Sequence, residues 1–494
     1  MRNDLKTTPL VDGLVRAIQR PHAAFYAPGH KRGQGASQLI QDLLGKTALA
    51  ADLPELPELD NLFAPVGIIE EAQQLAAQVF GAEKTWFLVN GSTCGIIAAI
   101  LATCGVGDKI ILPRNIHQSA IAGLIHSGAI PVFINPEYDS KSGLAYNVTP
   151  AKVKQALIAH PNTKAVMMLH PTYQGVCSDL KAIADMTHQY QIPLLVDEAH
   201  GAHFAFHDDL PPSAMSLGAD LTVQSTHKTL SAMTQASMLH TQGDLVCSQR
   251  ISRALQLVQS TSPNYLLLAS LDAARQQMAT VGTELMQQTI SFAIEAHQKI
   301  AEIPHLSVFL SPTQPGIKYL DPTRLTIDIS QLGITGFEAD EILHEQLGVT
   351  CELPLLQHLT FIISLGNTAK DIQQLIQACL ALSQKNTVKT IKSNSAVTQL
   401  LSLPPHPTKV SPRSAYFATK ETITLSQASD QHCGELICGE LICPYPPGIP
   451  LLMPGEAITV EAVNYLQQVL AAGGTITGCN DPTLQTIQIL KLEE

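Results

Sequence analysis

A chain of 494 residues, 45% hydrophobic and 15% charged, is long enough for two or three domains and too apolar for disorder. Its formal net charge of -12 argues against nucleic-acid and anionic-membrane partners, and suits attraction of a cationic small molecule. The N-terminus has no apolar signal segment, and the longest apolar run, around Gly95 to Val106, is too short to span a bilayer. The ten cysteines are scattered as reduced thiols would be, so a cytoplasmic setting without a membrane partner is expected.

Residues 1–66 read as an N-terminal segment. It holds a helix over Leu10 to Gln19 and a loop broken by Pro28, Gly29 and Gly33 that carries Tyr26, His30, Lys31 and Arg32. An acidic, proline-punctuated stretch with Glu55, Glu58 and Asp60 follows, then a helix over Ile68 to Phe80. From there strand-like and helix-like runs alternate. Strands over 85–90, 109–113, 130–135, 164–170, 193–197, 220–225 and 237–241 predict a mainly parallel, seven-stranded sheet with helices on both faces, an α/β large domain over 67–282. Ligands of such sheets lie at the carboxyl ends of the strands, where Asn90, His170, Asp197 and Ser225 fall.

After about residue 265 long helical stretches take over. Strands at 324–330 and 359–364 and helices over 337–347 and 370–382 predict an α+β small domain spanning 283–385. Residues 383–394 read as a polar linker and 395–494 as a C-terminal domain ending in a helix, 460–472, and a strand pair. Within it CGELICGELIC repeats a five-residue unit at Cys433, Cys438 and Cys443. Five is not a zinc-ligand spacing, so a short duplication in a strand or loop is the better reading.

Three places point to chemistry. Asn90-Gly91-Ser92-Thr93-Cys94-Gly95 ends a strand and opens a helix, where a glycine, two hydroxyls and free N–H groups can cradle a phosphate, although the same residues cap ordinary helices. Asp197 ends the apolar run PLLVD, and a carboxylate at a buried strand end needs a cationic partner. Lys228 lies in VQSTHKTLSAMTQAS, residues 223–237, among small hydroxyl residues. A desolvated amine there suits a Schiff base with an aldehyde cofactor. His200, His203 and His207 lack a Glu or Cys at helical spacing that would complete a zinc site, so no metal is expected. Gly105-Val-Gly has no third glycine and Gly45-Lys-Thr no upstream glycine, which removes the dinucleotide and P-loop readings.

Ser225-Thr-His-Lys228 and Thr234-Gln-Ala-Ser237 resemble, position by position, the pyridoxal-phosphate attachment signature of the ornithine/lysine/arginine decarboxylases. The likeness runs from about Phe25 to the YPPGIP–PGE segment. It implies an aspartate-aminotransferase-like (fold type I) large domain, pyridoxal 5'-phosphate on Lys228, and the short form of the family, which starts at the catalytic part without a wing domain. It further implies that His117 stacks on the cofactor ring with Ala199 on the opposite face, and that Asp197 pairs with the pyridine nitrogen. Gly91, Ser92, Thr93, Ser225 and His227 would hold the phosphate. Ser260 and Thr261 match a hydroxyl cluster offered to the phosphate of the partner subunit, which implies a homodimer. The catalytic candidates are thus Lys228, His117, Asp197, His227 and His200, with Lys228, His227 and His200 as sources of the proton returned to Cα. The reaction implied is decarboxylation of a basic amino acid to CO2 and a polyamine-pathway amine. Arginine is favoured, lysine and ornithine stay open, and Glu352 and Thr172 are the substrate-binding candidates. The alternatives are transamination or aldol cleavage on the same cofactor, or a catalytically silent regulator. An aminotransferase would want an arginine for the substrate carboxylate in the small domain, and the sequence does not place one.

Overall fold

The computed structural model describes residues 4–139, 142–310, 314–385, 408–425, 427, 434–445, 449–471 and 473–491. Seven strands form the main sheet: β1 (Lys84–Leu88), β2 (Lys109–Pro113), β3 (Ile130–Ile134), β4 (Thr163–Leu169), β5 (Leu194–Asp197), β6 (Leu221–Gln224) and β7 (Ser237–Thr241). Their order is β1-β7-β6-β5-β4-β2-β3. The seven expected strands are all present, each within two residues of its expected ends. β2 runs parallel to β3 and β4, and β5 runs parallel to β6. β7 is the exception, antiparallel to both β1 and β6. The link from β6 to β7 holds one four-residue helix, Thr226–Thr229, and lacks the crossover helix that usually returns a chain to a parallel strand.

The chain divides into two compact units, residues 1–102 with 195–287, and residues 103–194 with 288–494. In the first unit, β5, β6 and β1 point the same way, because β7 reverses twice between β6 and β1. The helix Gly91–Thr103 packs closely here. A Cβ on Gly95 would meet Leu88 and Val223 side-chain carbons at 2.7 Å, so only glycine fits. The acidic stretch folds back on itself. Asp60 accepts the N–H groups of Asn61, Val66, Gly67 and Ile69 at 2.8–3.1 Å, and Glu55 accepts from the Asn61 side chain and Leu62 N–H. These two carboxylates organise a loop. The upstream loop is tied in the same manner. His30 Nε2 meets Asp52 at 3.0 Å while its Nδ1 accepts the Gly33 N–H at 2.9 Å, and Lys31 Nζ donates to the Tyr26 carbonyl.

In the second unit, Arg324–Asp328 and His358–Ile362 pair antiparallel, flanked by Ser307–Val308 and Leu353–Pro354. Helices Gly336–Leu347 and Ala369–Lys385 cover this sheet through Leu343, Ile372, Leu375 and Cys379. The expected linker overlaps the end of the second helix, and its remainder lies outside the described residues. The two long helical stretches after residue 265 form one helix, Tyr265–Ala301, interrupted at Val281, whose φ of -132° breaks the helical run. The C-terminal part packs Cys438, Ile442, Leu452, Leu466, Ile476 and Ile487 into its own core beside helix Val460–Ala471. The expected final strand pair is not a hairpin. Thr475–Thr477 pairs with Cys443–Tyr445, and Thr486–Leu490 pairs with Lys420–Thr424. Of the repeat, Cys443 lies in a strand and Cys438 in a β-bridge, both buried, while Cys433 lies outside the described residues. Among the described residues, no helix is long and apolar enough to cross a membrane.

Candidate cofactor site

The first unit gathers Asn90–Thr93, Asp197 and Ser225 at the carboxyl ends of β1, β5 and β6. The turn after β1 is fixed from below. Gly91 sits at φ +72° and gives its N–H to the Gln235 carbonyl at 3.0 Å. Gln235, itself at φ +85°, donates its side-chain amide to the Val89 carbonyl, and Gln259 accepts the Val89 N–H at 2.8 Å. Neither glutamine was singled out from the sequence. An L residue held at positive φ beside a glycine turn is a tertiary feature without a local signature. The Ser225 hydroxyl donates to the Ser92 hydroxyl at 2.8 Å, so two hydroxyls from strands far apart in sequence meet beside a helix start. The N–H groups of that first turn have no partner within the helix, which makes it a receptor for a phosphate. The Cys94 thiol donates back to the Gly91 carbonyl at 3.1 Å, and burial pushes its pKa up to about 12. It stays a neutral thiol and leaves anion binding to its neighbours.

Asp197 is 3% exposed. Burial holds its carboxyl above the usual range, against the opposing pull of the Lys228 ammonium and of the Ala199 N–H that it accepts at 3.2 Å. Such a group calls for a cation at close range. Lys228 Nζ lies 2.9 Å from His200 Nε2, near enough for proton exchange. His227 donates Nδ1–H to the Ala236 carbonyl at 2.9 Å, which leaves Nε2 for a ligand. Burial, followed by the Lys228 charge, lowers the pKa of His227. Buried Thr226 and Thr229 hydroxyls on the same short helix have no hydrogen-bond partner among the described residues. Ser260 and Thr261 are exposed, and the Ser260 N–H reaches Asn90 Oδ1 at 3.4 Å. A hydroxyl-rich helix start, a buried carboxylate short of positive charge and an amine beside an imidazole together fit pyridoxal phosphate at its phosphate, ring nitrogen and aldehyde.

The second unit holds the remaining candidates. His117 caps helix Gln118–Ser127, its Nδ1 accepting the Ser119 N–H at 3.2 Å, which assigns the proton of the neutral ring to Nε2. Three residues earlier, buried Arg114 donates to the Pro450 and Leu451 carbonyls at 3.1 and 2.8 Å and to Glu456 at 3.0 Å. Thr172 is buried, and its Oγ1 accepts the Val176 N–H at 3.1 Å, so it closes a turn and keeps one O–H to offer. Glu352 is exposed on a strand edge, beside a groove also lined by Thr350, Asn367 and Asp371. One residue was missed. Arg324 is 1% exposed and its Nε lies 3.4 Å from Asp321; burial lowers its pKa, against the opposing pull of the Asp321 and Glu352 carboxylates. The signal was an arginine opening RLTIDIS, a strand run that alternates polar and apolar residues.

Comparison with known proteins agrees with this geometry. A family model described as Orn/Lys/Arg decarboxylase, major domain, matches residues 8–318, and one described as Orn/Lys/Arg decarboxylase, C-terminal domain, matches residues 396–482. An arginine decarboxylase of Bacillus subtilis (strain 168) is 38% identical over 98% of this chain and 98% of its own. Another, from Halalkalibacterium halodurans, is 39% identical over 99% of this chain and 98% of its own. Among solved structures, the Francisella novicida lysine decarboxylase superposes with a TM-score of 0.84 at 22% identity, covering 99% of this chain and 82% of that one.

Proposed function

We propose that this chain, which belongs to the Orn/Lys/Arg decarboxylase family, acts on arginine, releasing CO2 and agmatine. It is a pyridoxal-phosphate-dependent decarboxylase of fold type I, and its substrate is a basic amino acid. The observation behind the choice of arginine is the match, from end to end, to arginine decarboxylases at 38–39% identity. Bound pyridoxal phosphate supplies the electron sink that lets a carboxylate leave the α-carbon.

The chain's own residues do the rest. Lys228 would hold the cofactor through its amine and later take part in product release. His200, 2.9 Å from that amine, exchanges a proton with it and is a candidate, with Lys228 and His227, for returning one to Cα. Asp197 keeps the ring nitrogen protonated, for which a buried carboxylate met by one backbone N–H is suited. Gly91, Ser92, Thr93, Ser225 and His227 take the phosphate, helped by Ser260 and Thr261 of the partner subunit in a cytoplasmic homodimer. His117 and Ala199 take the two ring faces. Glu352 is assigned to the guanidinium of the substrate and Thr172, through its O–H, to a polar group of it. The domain scheme that suits these roles is an N-terminal segment at 1–66, a large domain at 67–282, a small domain at 283–385 and a C-terminal domain at 395–494.

The test is amine formation by the purified protein with pyridoxal phosphate, offered arginine, lysine and ornithine separately and read by mass. Agmatine alone is expected. Cadaverine or putrescine as the main product would move the substrate assignment, and with it the role of Glu352.

A further inference from the structure

Behind the cofactor-facing strand ends lies a buried chain of four side chains that no step above uses. Thr85 Oγ1 lies 2.8 Å from His240 Nδ1, His240 Nε2 lies 3.2 Å from Gln224 Oε1, and Gln224 Nε2 donates to Glu198 Oε2 at 2.7 Å. Glu198 Oε1 closes the run by accepting the Ala214 N–H at 2.7 Å. None of the four is more than 1% exposed, and the Phe80 ring stacks on His240 with centroids 4.9 Å apart. The chain crosses β1, β7 and β6 and reaches the end of β5, so it ties four neighbouring strands together.

Its two inner members adjoin the cofactor residues. Glu198 follows Asp197, and Gln224 precedes Ser225. Glu198 is met by an amide and a backbone N–H, and burial pushes its pKa up to about 8. A carboxyl so placed is costly to bury, and its bonds to Gln224 and Ala214 are what offset that cost. What it supplies is geometry. The strands are linked one to the next by side-chain hydrogen bonds, so the ends of β5 and β6 are held at a single spacing.

We propose that Glu198, Gln224 and His240 are positioning residues, whose hydrogen-bond chain sets the spacing between the Asp197 carboxylate and Ser225. This rests on pyridoxal phosphate lying at those strand ends. The run can also operate in reverse. With an amide at 198, a flipped Gln224 accepts from it and donates to His240 Nε2, while Nδ1–H donates to Thr85. Glu198→Gln therefore keeps the chain closed, whereas Glu198→Leu opens it and strands two donors.

The experiment measures pyridoxal phosphate dissociation and the absorbance spectrum of the bound cofactor, with unfolding temperature alongside. Glu198→Leu is expected to weaken retention of the cofactor by about tenfold and displace its band, with Glu198→Gln within about threefold of the parent. A folded Glu198→Leu protein with unchanged affinity and spectrum overturns the proposal. So does a Glu198→Gln protein as impaired as Glu198→Leu, since charge rather than closure would then matter. Should Glu198→Leu fail to fold, His240→Phe opens the chain at its far end and must shift the same two readouts in the same direction; no shift overturns the proposal. Asp197→Asn separates the two ideas. If it leaves the spectrum untouched, the cofactor placement itself is wrong.

Discussion

Arg114 and Glu456 are both buried, whereas buried Asp197 looks to a half-buried Lys228, and the two carboxylates differ in what completes them. Glu456 is 1% exposed and has a guanidinium at 3.0 Å plus the Met453 N–H at 3.0 Å. The same arginine also satisfies two carbonyls of the 450–451 segment. Burial raises the Glu456 pKa to about 7, with Arg114 pulling the other way; Oε2 takes both of its partners from this chain, while buried Oε1 has none among the described residues. Asp197 has one backbone N–H and the more distant field of an amine whose Nζ is already beside His200. A carboxylate with a guanidinium of its own chain in contact is architecture. One with only a more distant cation is an electrostatic demand that a bound cation can meet.

Substitution separates the two cases most sharply at Lys228. Lys228→Ala should remove amine formation to the detection limit and abolish the covalent cofactor absorbance, while the fold persists. A variant that still turned over would dismiss Lys228 from the chemistry. Asp197→Asn comes next. It retains shape and loses charge, so kcat should fall on the order of a hundredfold, as when one preorganised electrostatic partner is removed. The bound cofactor's absorbance should change with it. A loss confined to KM would place Asp197 on the substrate instead.

Arg114→Met should behave differently, costing about 3–5 kcal/mol of stability in urea unfolding because Glu456 is left buried and alone. The double replacement Arg114→Met with Glu456→Met should recover most of that loss, since no charge remains uncompensated. The corresponding double replacement of Lys228 and Asp197 should recover no activity. If the Arg114/Glu456 double variant were as unstable as the single one, the pair would be more than a self-contained structural bridge.

How much of this was legible beforehand follows from the range of each signal. The seven strands, the Gly91 turn and Lys228 announce themselves through local periodicity and short motifs. The Ser92–Ser225 contact joins two such motifs across 133 positions and becomes visible only once both are placed at strand ends. Nothing local marks β7 as antiparallel, although a link without a crossover helix is a usable clue. Arg114 and Glu456 are 342 positions apart, and each looks like an ordinary charged loop residue. Glu198 was hidden differently: nothing local singles it out beside Asp197, and its carboxylate bonds to Ala214 and Gln224 in the chain behind the site. Alternation along a buried strand end sends adjacent side chains to opposite faces, and that rule could have separated them.

The smallest expected effect tests the same distinction by pH. Glu198 has an ordinary pKa of 4.5 and is pushed up to about 8, so between those values the folded protein holds a proton that the unfolded chain has lost. Its contribution to stability is complete below pH 4.5 and is lost as pH rises towards 8. His240 runs the other way. Burial lowers it from 6.5 to about 3, so its contribution is present above 6.5 and is lost as pH falls through that window. The two slopes oppose each other between 4.5 and 6.5, and above 6.5 Glu198 acts alone. One such group imposes at most about 1.4 kcal/mol per pH unit. Glu198→Gln should therefore flatten the fall in urea midpoint between pH 6.5 and 8, steepen the rise from 4.5 to 6.5 where His240 is no longer opposed, and leave the range below 4.5 in place. An unaltered alkaline slope would mean that Glu198 is already ionised in the folded protein. Its chain to Gln224 would then be a charge-assisted anchor, and Glu198 would join Glu456 as a carboxylate held by partners of its own chain.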